Sequence, residues 1–136
     1  MSDARKGRLN EIRAALLDLH KALVVSERAS YEKTVGPIQS STRFLNLLTS
    51  DPWFAWLQPV SHLIVTIDER MESDEPLTDA MVESTIQETR TLLAPSEDGQ
   101  GFARHYFEAL QADADVVITH SDLMQVLGKL KPNGQI

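Results

Sequence analysis

The chain of 136 residues contains no cysteine. This excludes a disulfide framework, a thiolate metal site and a cysteine nucleophile, and it suits a reducing compartment such as the cytoplasm. No stretch approaches the roughly 18 apolar residues that a membrane span needs, so none is expected. The N-terminus, MSDARKGRLNEIR, is charged and lacks the apolar run of a secretory signal. Excess positive charge is also missing, since the formal net charge is −7. Residues 1–36 carry seven Lys/Arg against five Asp/Glu, whereas residues 67–100 carry two against ten. The acidic block would repel phosphates, so a nucleic-acid partner is not expected. Its plainest role is a solvated helix face with its loop.

Several site signatures are absent as well. Carboxylate-bundle proteins hold iron through Glu-x-x-His pairs, but the residues three before His20, His62, His105 and His120 are Leu17, Pro59, Phe102 and Val117. The nearest approach is His105 with Glu108, a pair without a third ligand, so neither metal nor cofactor is expected. Gly99 and Gly101 lack the third glycine, preceding strand and lysine of a phosphate cradle, and no G-x-S-x-G elbow occurs.

What the chain does have is helical periodicity. Leu9, Ile12, Leu16, Leu19 and Leu23 follow a 3-4-3-4 spacing, which predicts a helix running to about Val35, where Gly36-Pro37 stops it. Ser40 or Ser41 caps a short helix through Leu48, broken at Thr49-Ser50. Asp51-Pro52 opens a third, which either kinks or restarts at Pro59 and continues through Met71. Thr78-Asp79 opens a fourth to about Leu93, Phe102 to Gln111 forms a short fifth, and Asp113 or Asp115 caps a last one, Val116 to Leu130. The expectation is one all-α domain over 1–136, an irregular bundle of four main helices and two short ones, with flexible ends at 1–7 and 131–136.

Advancing 100° per residue shows which polar side chains fall in an apolar sector. His20, Glu27 and Tyr31 line up at i, i+7 and i+11 on the first helix, and His120 lies among Val116, Leu123 and Leu127, more deeply than His20. Ser61 and Asp68 flank Ile64, while His62 and Glu69 point away. Burying an unpaired polar group costs on the order of 1–3 kcal/mol, so these residues should satisfy one another. The expectation is a single network of His20, Glu27, Tyr31, Asp68 and His120, serving either to fix helix register or to line a pocket for a ligand or for acid–base work.

Aromatics make up only 6% of the chain, yet both tryptophans lie in SDPWFAWLQPV, Ser50 to Val60. In phase with an α-helix, Trp53, Trp56, Val60, Leu63, Ile64 and Ile67 form one seam, with Phe54 and Leu57 on an adjoining side. So wide an apolar sector is core first, and otherwise part of a homodimer or partner interface formed by Trp53, Phe54, Trp56 and Leu57.

Leu19-His20-Lys21 with Glu27-Arg28 and Tyr31-Glu32, then DPWFAWLQPVSHLIVTIDE (Asp51 to Glu69) and GFARHYFEALQADADVVITH (Gly101 to His120), together resemble a group of small bacterial all-helical proteins of unknown function. The resemblance implies a bacterial, cytoplasmic source and carries no activity, cofactor or catalytic residue to this chain. With no catalytic constellation visible, the expected function is non-enzymatic: binding a protein partner or a second copy through the Trp53–Leu57 surface or the acidic 67–100 region. A small-molecule binder or enzyme built on the five-residue network is the alternative, and an acidic regulator that occupies a basic partner is a third reading resting on charge alone.

Overall fold

The computed structural model describes residues 2–129, and among them every regular element is helical. In order these are α1 (Ser2–Thr34), α2 (Ser41–Ser50), a 3-10 helix (Pro52–Leu57), α3 (Gln58–Glu72), α4 (Asp79–Leu92), α5 (Phe102–Ala112) and α6 (Ala114–Lys129). Leu130 and the expected flexible end at 131–136 lie outside the described residues, whereas residues 2–7 already belong to α1. Arg5 anchors that start by donating to Asp79 at 2.8 Å.

α1 is the axis of the fold. Its Leu9, Ile12, Leu16, Leu19 and Leu23 are all essentially fully buried, and each such side chain contributes roughly 1.5–3 kcal/mol by leaving water. They pack most extensively against α6, whose Val116, Leu123 and Leu127 are equally buried, and then against α3 and α4. α1 stops where expected: Gly36 takes φ +143°, which glycine adopts without a Cβ penalty, and Pro37 cannot prolong the ladder. Glu32 then accepts from the Ile38 N–H at 2.9 Å and fastens the turn as Ile38 enters the core.

Ser40 caps α2 by accepting from the Arg43 N–H at 3.0 Å. α2 continues through Thr49 and Ser50 instead of breaking at them. The reason is local, because both hydroxyls donate back to carbonyls one turn earlier, Thr49 to Leu45 and Ser50 to Asn46. Asp51 next accepts from the Trp53 N–H at 2.8 Å, as a capping residue should.

The segment that follows is not α-helical. Pro52–Leu57 winds as a 3-10 helix, and α3 restarts at Gln58 with Pro59 in its first turn, where a missing N–H is harmless. At three residues per turn, side chains at i and i+3 eclipse. The burial pattern obeys this. Pro52 and Ala55 are exposed, Trp53 and Trp56 half-buried, and Phe54 and Leu57 are 1% and 3% exposed. The single seam that an α-helical phase predicted for both tryptophans is therefore replaced by two separate faces.

Thr78 caps α4 by accepting from Met81 N–H at 3.1 Å. Two threonines on α4, Thr85 and Thr89, are fully buried, and they escaped the sequence reading of inward polar groups. Each satisfies itself by donating to its own helix, and Thr85 also accepts from Arg70 at 2.6 Å, which ties α3 to α4.

Gly101 precedes α5 at φ +63°, ψ −135°, a region open to glycine almost alone. A Cβ there would meet nothing within 4 Å, so the cost of Gly101→Ala is backbone strain only. The expected loss is about 1–3 kcal/mol, read as a lower urea midpoint. An unchanged midpoint would contradict this geometry.

Candidate functional site

The five residues expected to form one network do not. Asp68 binds Arg13, joining α3 to α1. His120 shares a 2.6 Å hydrogen bond between its Nδ1 and the Tyr106 hydroxyl. His20 shares one of 3.0 Å between its Nε2 and Ser61 Oγ. Tyr31 packs its ring on Trp53 and Phe54, at 5.5 Å in each case. Glu27 lies against the two tryptophans and His105. Of the five, only Tyr31 and Glu27 are linked, through Trp53. The physical reason is that helix phase gives a direction from an axis, not the identity of the neighbour in that direction. α6 packs mainly on α1, yet His120 sits on the side of α6 that meets α5, so Tyr106 satisfies it. Nor does His120 lie deeper than His20; both are half-buried, and burial lowers the pKa of each from the ordinary 6.5.

The four residues read as core first, and otherwise as an interface, divide between the two faces of the 3-10 helix. Phe54 and Leu57 belong to the core, Phe54 resting on Phe44 as well as Tyr31. Trp53 and Trp56 are half-covered, and their faces are engaged, Trp56 by Phe102 and by a nearly parallel His105 ring at 5.2 Å. The four therefore do not share one exposed face.

The 3-10 helix instead serves two clefts with its two faces. Phe54 and Leu57 help close a pocket of about 150 Å³ with His20 and Ser61 at its wall. Trp56 borders a cleft of about 180 Å³ between α1 and α5, which Glu27, His105, Glu108, Ser26, Ser30 and Ala109 also line. His105 and Glu108, set aside as a metal pair, thus become cleft walls. His105 donates from Nδ1 to the Gly101 carbonyl at 2.9 Å, since a carbonyl can only accept, and this leaves Nε2 as the acceptor of the neutral ring.

The electrostatics centre on Glu27. Burial pushes its pKa above the ordinary carboxylate value, and Glu108 adds to the rise. The indole N–H groups of Trp56 and Trp53 and the charge of His105 oppose it by favouring the ionised form. Neither indole completes a hydrogen bond of full geometry, because both Nε1 atoms are buried without a bonded partner. They act on Glu27 as nearby oriented dipoles. Among the described residues no Lys or Arg forms an ion pair with Glu27; the nearby Arg28 turns to Glu32 and covers the Phe44 ring.

This cleft is one part of a longer groove. Ser26, Ser30 and Ala112 also line a neighbouring cleft of about 270 Å³ that reaches Ala29, Lys33 and Asp113. Asp113 in turn lines a third, of about 310 Å³, with Asp18, Lys21, Ala22, Val25, Asp115 and Thr119. The three adjoin along α1 from Asp18 to Lys33, beside the α5–α6 junction. Small side chains, Ala22, Ser26, Ala29 and Ser30, leave the groove open, and Val25 stands 57% exposed within it. Carboxylates outnumber lysines on its walls: Asp18, Glu27, Glu108, Asp113 and Asp115 against Lys21 and Lys33. The sequence held a hint of this in the Ala/Ser-rich outer face of the first helix, but nothing in it said that α5 and α6 would flank that face.

Among the described residues no group of three His, Asp or Glu is placed to hold a metal ion, and no helix is long and apolar enough to cross a membrane. No protein-family model, curated protein or solved structure matches the chain, so its family is read from no relative and its site from its own geometry.

Proposed function

We propose that the chain is a protein-binding module whose groove along α1, beside the α5–α6 junction, receives a basic segment of a partner protein. The observation that carries this reading is the continuity of three clefts through shared lining residues, with an acidic excess on the walls. A continuous open groove suits a peptide better than a compact metabolite, and small residues on its floor let a partner backbone approach closely. The charge excess selects a basic occupant and speeds its encounter. The acidic 67–100 region has less to offer, because three of its carboxylates are already paired, Asp68 with Arg13, Asp79 with Arg5 and Glu88 with Arg70. The pocket reading based on all five polar residues lacks a common cavity, since Glu27 and His20 line different clefts.

Peptides selected on the full chain from a random display library are expected to carry net positive charge and to bind in this groove. Ser30→Lys and Val25→Lys place bulk and positive charge in the groove at exposed positions, so each should weaken binding at least about tenfold, roughly 1.4 kcal/mol, by fluorescence anisotropy. Val65→Lys, exposed on α3 away from the groove, should leave binding unchanged. Binding indifferent to Ser30→Lys and Val25→Lys would overturn the assignment. A homodimer dispersed by Ser30→Lys in sedimentation would replace the foreign partner with a second copy.

A further inference from the structure

Resting on that groove, we propose that the Glu27 cleft is its specificity pocket and takes one arginine side chain of the bound segment, the guanidinium bridging Glu27 and Glu108. The cleft, at about 180 Å³, is smaller than the roughly 300–1,000 Å³ of pockets that enclose whole small molecules, and its scale is that of one side chain. Its two carboxylates belong to opposite walls, Glu27 on α1 and Glu108 on α5.

Glu27 is the feature that asks for an occupant. It is half-buried, has no ion-pair partner among the described residues, and is attended by two buried indole N–H groups that lack a hydrogen-bond partner. Neutral dipoles and a histidine are weak compensation for a desolvated carboxylate, whereas a guanidinium supplies a full charge and directional donors. Glu108 has a cation already, Arg104 at 3.0 Å, but that pair is an exposed i,i+4 contact of the kind worth little in water, and an incoming guanidinium can share the carboxylate with it.

Arginine fits better than lysine for three reasons. Its guanidinium is the less strongly hydrated cation, so entry costs less desolvation. Its planar fork offers five N–H donors, enough to meet two carboxylates and the hydroxyls of Ser26 and Ser30 together. The flat group can also lie along the edge of the Trp56–His105 stack that forms one wall, where a compact ammonium would leave the space half filled.

The test uses the full chain and two probes. In the first, N-acetyl-arginine amide is titrated while tryptophan emission is followed, because Trp53 and Trp56 both adjoin Glu27. A saturable change is expected, absent with the citrulline analogue and weakened at least about tenfold in Glu27→Gln. Glu108→Gln, at a more exposed wall, gives a second variant should Glu27→Gln fail to fold, and it should weaken the same response. An equal response to N-acetyl-lysine amide or to the citrulline analogue would overturn the arginine assignment. In the second, a groove-binding peptide has each arginine replaced by citrulline in turn. One position should lose about tenfold or more against the wild-type chain and little against Glu27→Gln. Peptides that bind with no such position would sink the pocket and leave the groove standing. Arginine amide that perturbs the tryptophans while no peptide binds would do the reverse.

Discussion

Replacing Phe54 by alanine is expected to lower the unfolding free energy by about 3–5 kcal/mol, the usual cost of removing a buried aromatic ring and leaving a cavity. Phe54 is 1% exposed and its ring meets Tyr31 at 5.5 Å and Phe44 at 5.9 Å, so it joins α1, α2 and the 3-10 helix. Against a total stability of about 5–15 kcal/mol, that loss would leave the variant marginal. Ala55→Ser, one residue on, should be close to neutral, because Ala55 lies on the exposed face of the same 3-10 turn. Urea unfolding followed by circular dichroism checks both. A cost below about 1 kcal/mol for Phe54→Ala would mean that this face does not enter the core as described.

Tyr106→Phe should cost about 1–3 kcal/mol, since it deletes the hydroxyl that satisfies His120 while keeping the ring in place. Tyr106 is fully buried against Phe102, and burial drives its pKa upward so that it stays protonated. With the imidazole neutral and its proton on Nε2, the hydroxyl donates to Nδ1; protonating the ring reverses that bond and places a charge in a half-buried site. The acid response follows from the sign of the shift. His120 has a folded pKa below the unfolded 6.5, so between those values the unfolded chain binds more protons and stability rises with pH. The stabilisation is complete above 6.5 and is lost as pH falls through the folded value. His20 acts in the same direction. Glu27 acts oppositely, its raised pKa giving a contribution that is present below 4.5 and lost as pH rises through the folded value. Urea midpoints should therefore drop between about pH 7.5 and about pH 5.5, and the drop should shrink in His120→Gln. A pH response identical in wild type and His120→Gln would refute the role given to burial at that histidine.

Much of the fold is legible along the chain because the signals that make it are local. Asp51-Pro52, Ser40 and Thr78 start helices through hydrogen bonds to residues two or three positions ahead, and Gly36-Pro37 ends one by a backbone preference. The leucine spacing of α1 names its buried side without reference to any other element. Thr49 and Ser50 misled in the opposite sense, since the same hydroxyls that disfavour a helix in isolation bond back to it here. The tryptophan stretch misled through its period: a 120° step, not a 100° step, sends Phe54 and Leu57 inward and turns Trp53 and Trp56 toward Glu27.

The candidate site was legible only in fragments. Glu27 stood out as an inward carboxylate and His105 with Glu108 as a near-pair, but their meeting depends on α5 docking beside α1, a separation of some eighty positions that no local spacing encodes. By itself the sequence determined an all-helical fold over the described residues, the ends of most helices, the apolar stripe that faces the core, and, through its lack of cysteine, the absence of thiol chemistry. Those follow from residue identity and short-range periodicity. Tertiary packing alone decided which polar residues became partners, that His20, Glu27 and His120 lie in three different surroundings, and that the outer face of α1 borders an acidic groove, because each depends on which helix arrives beside which.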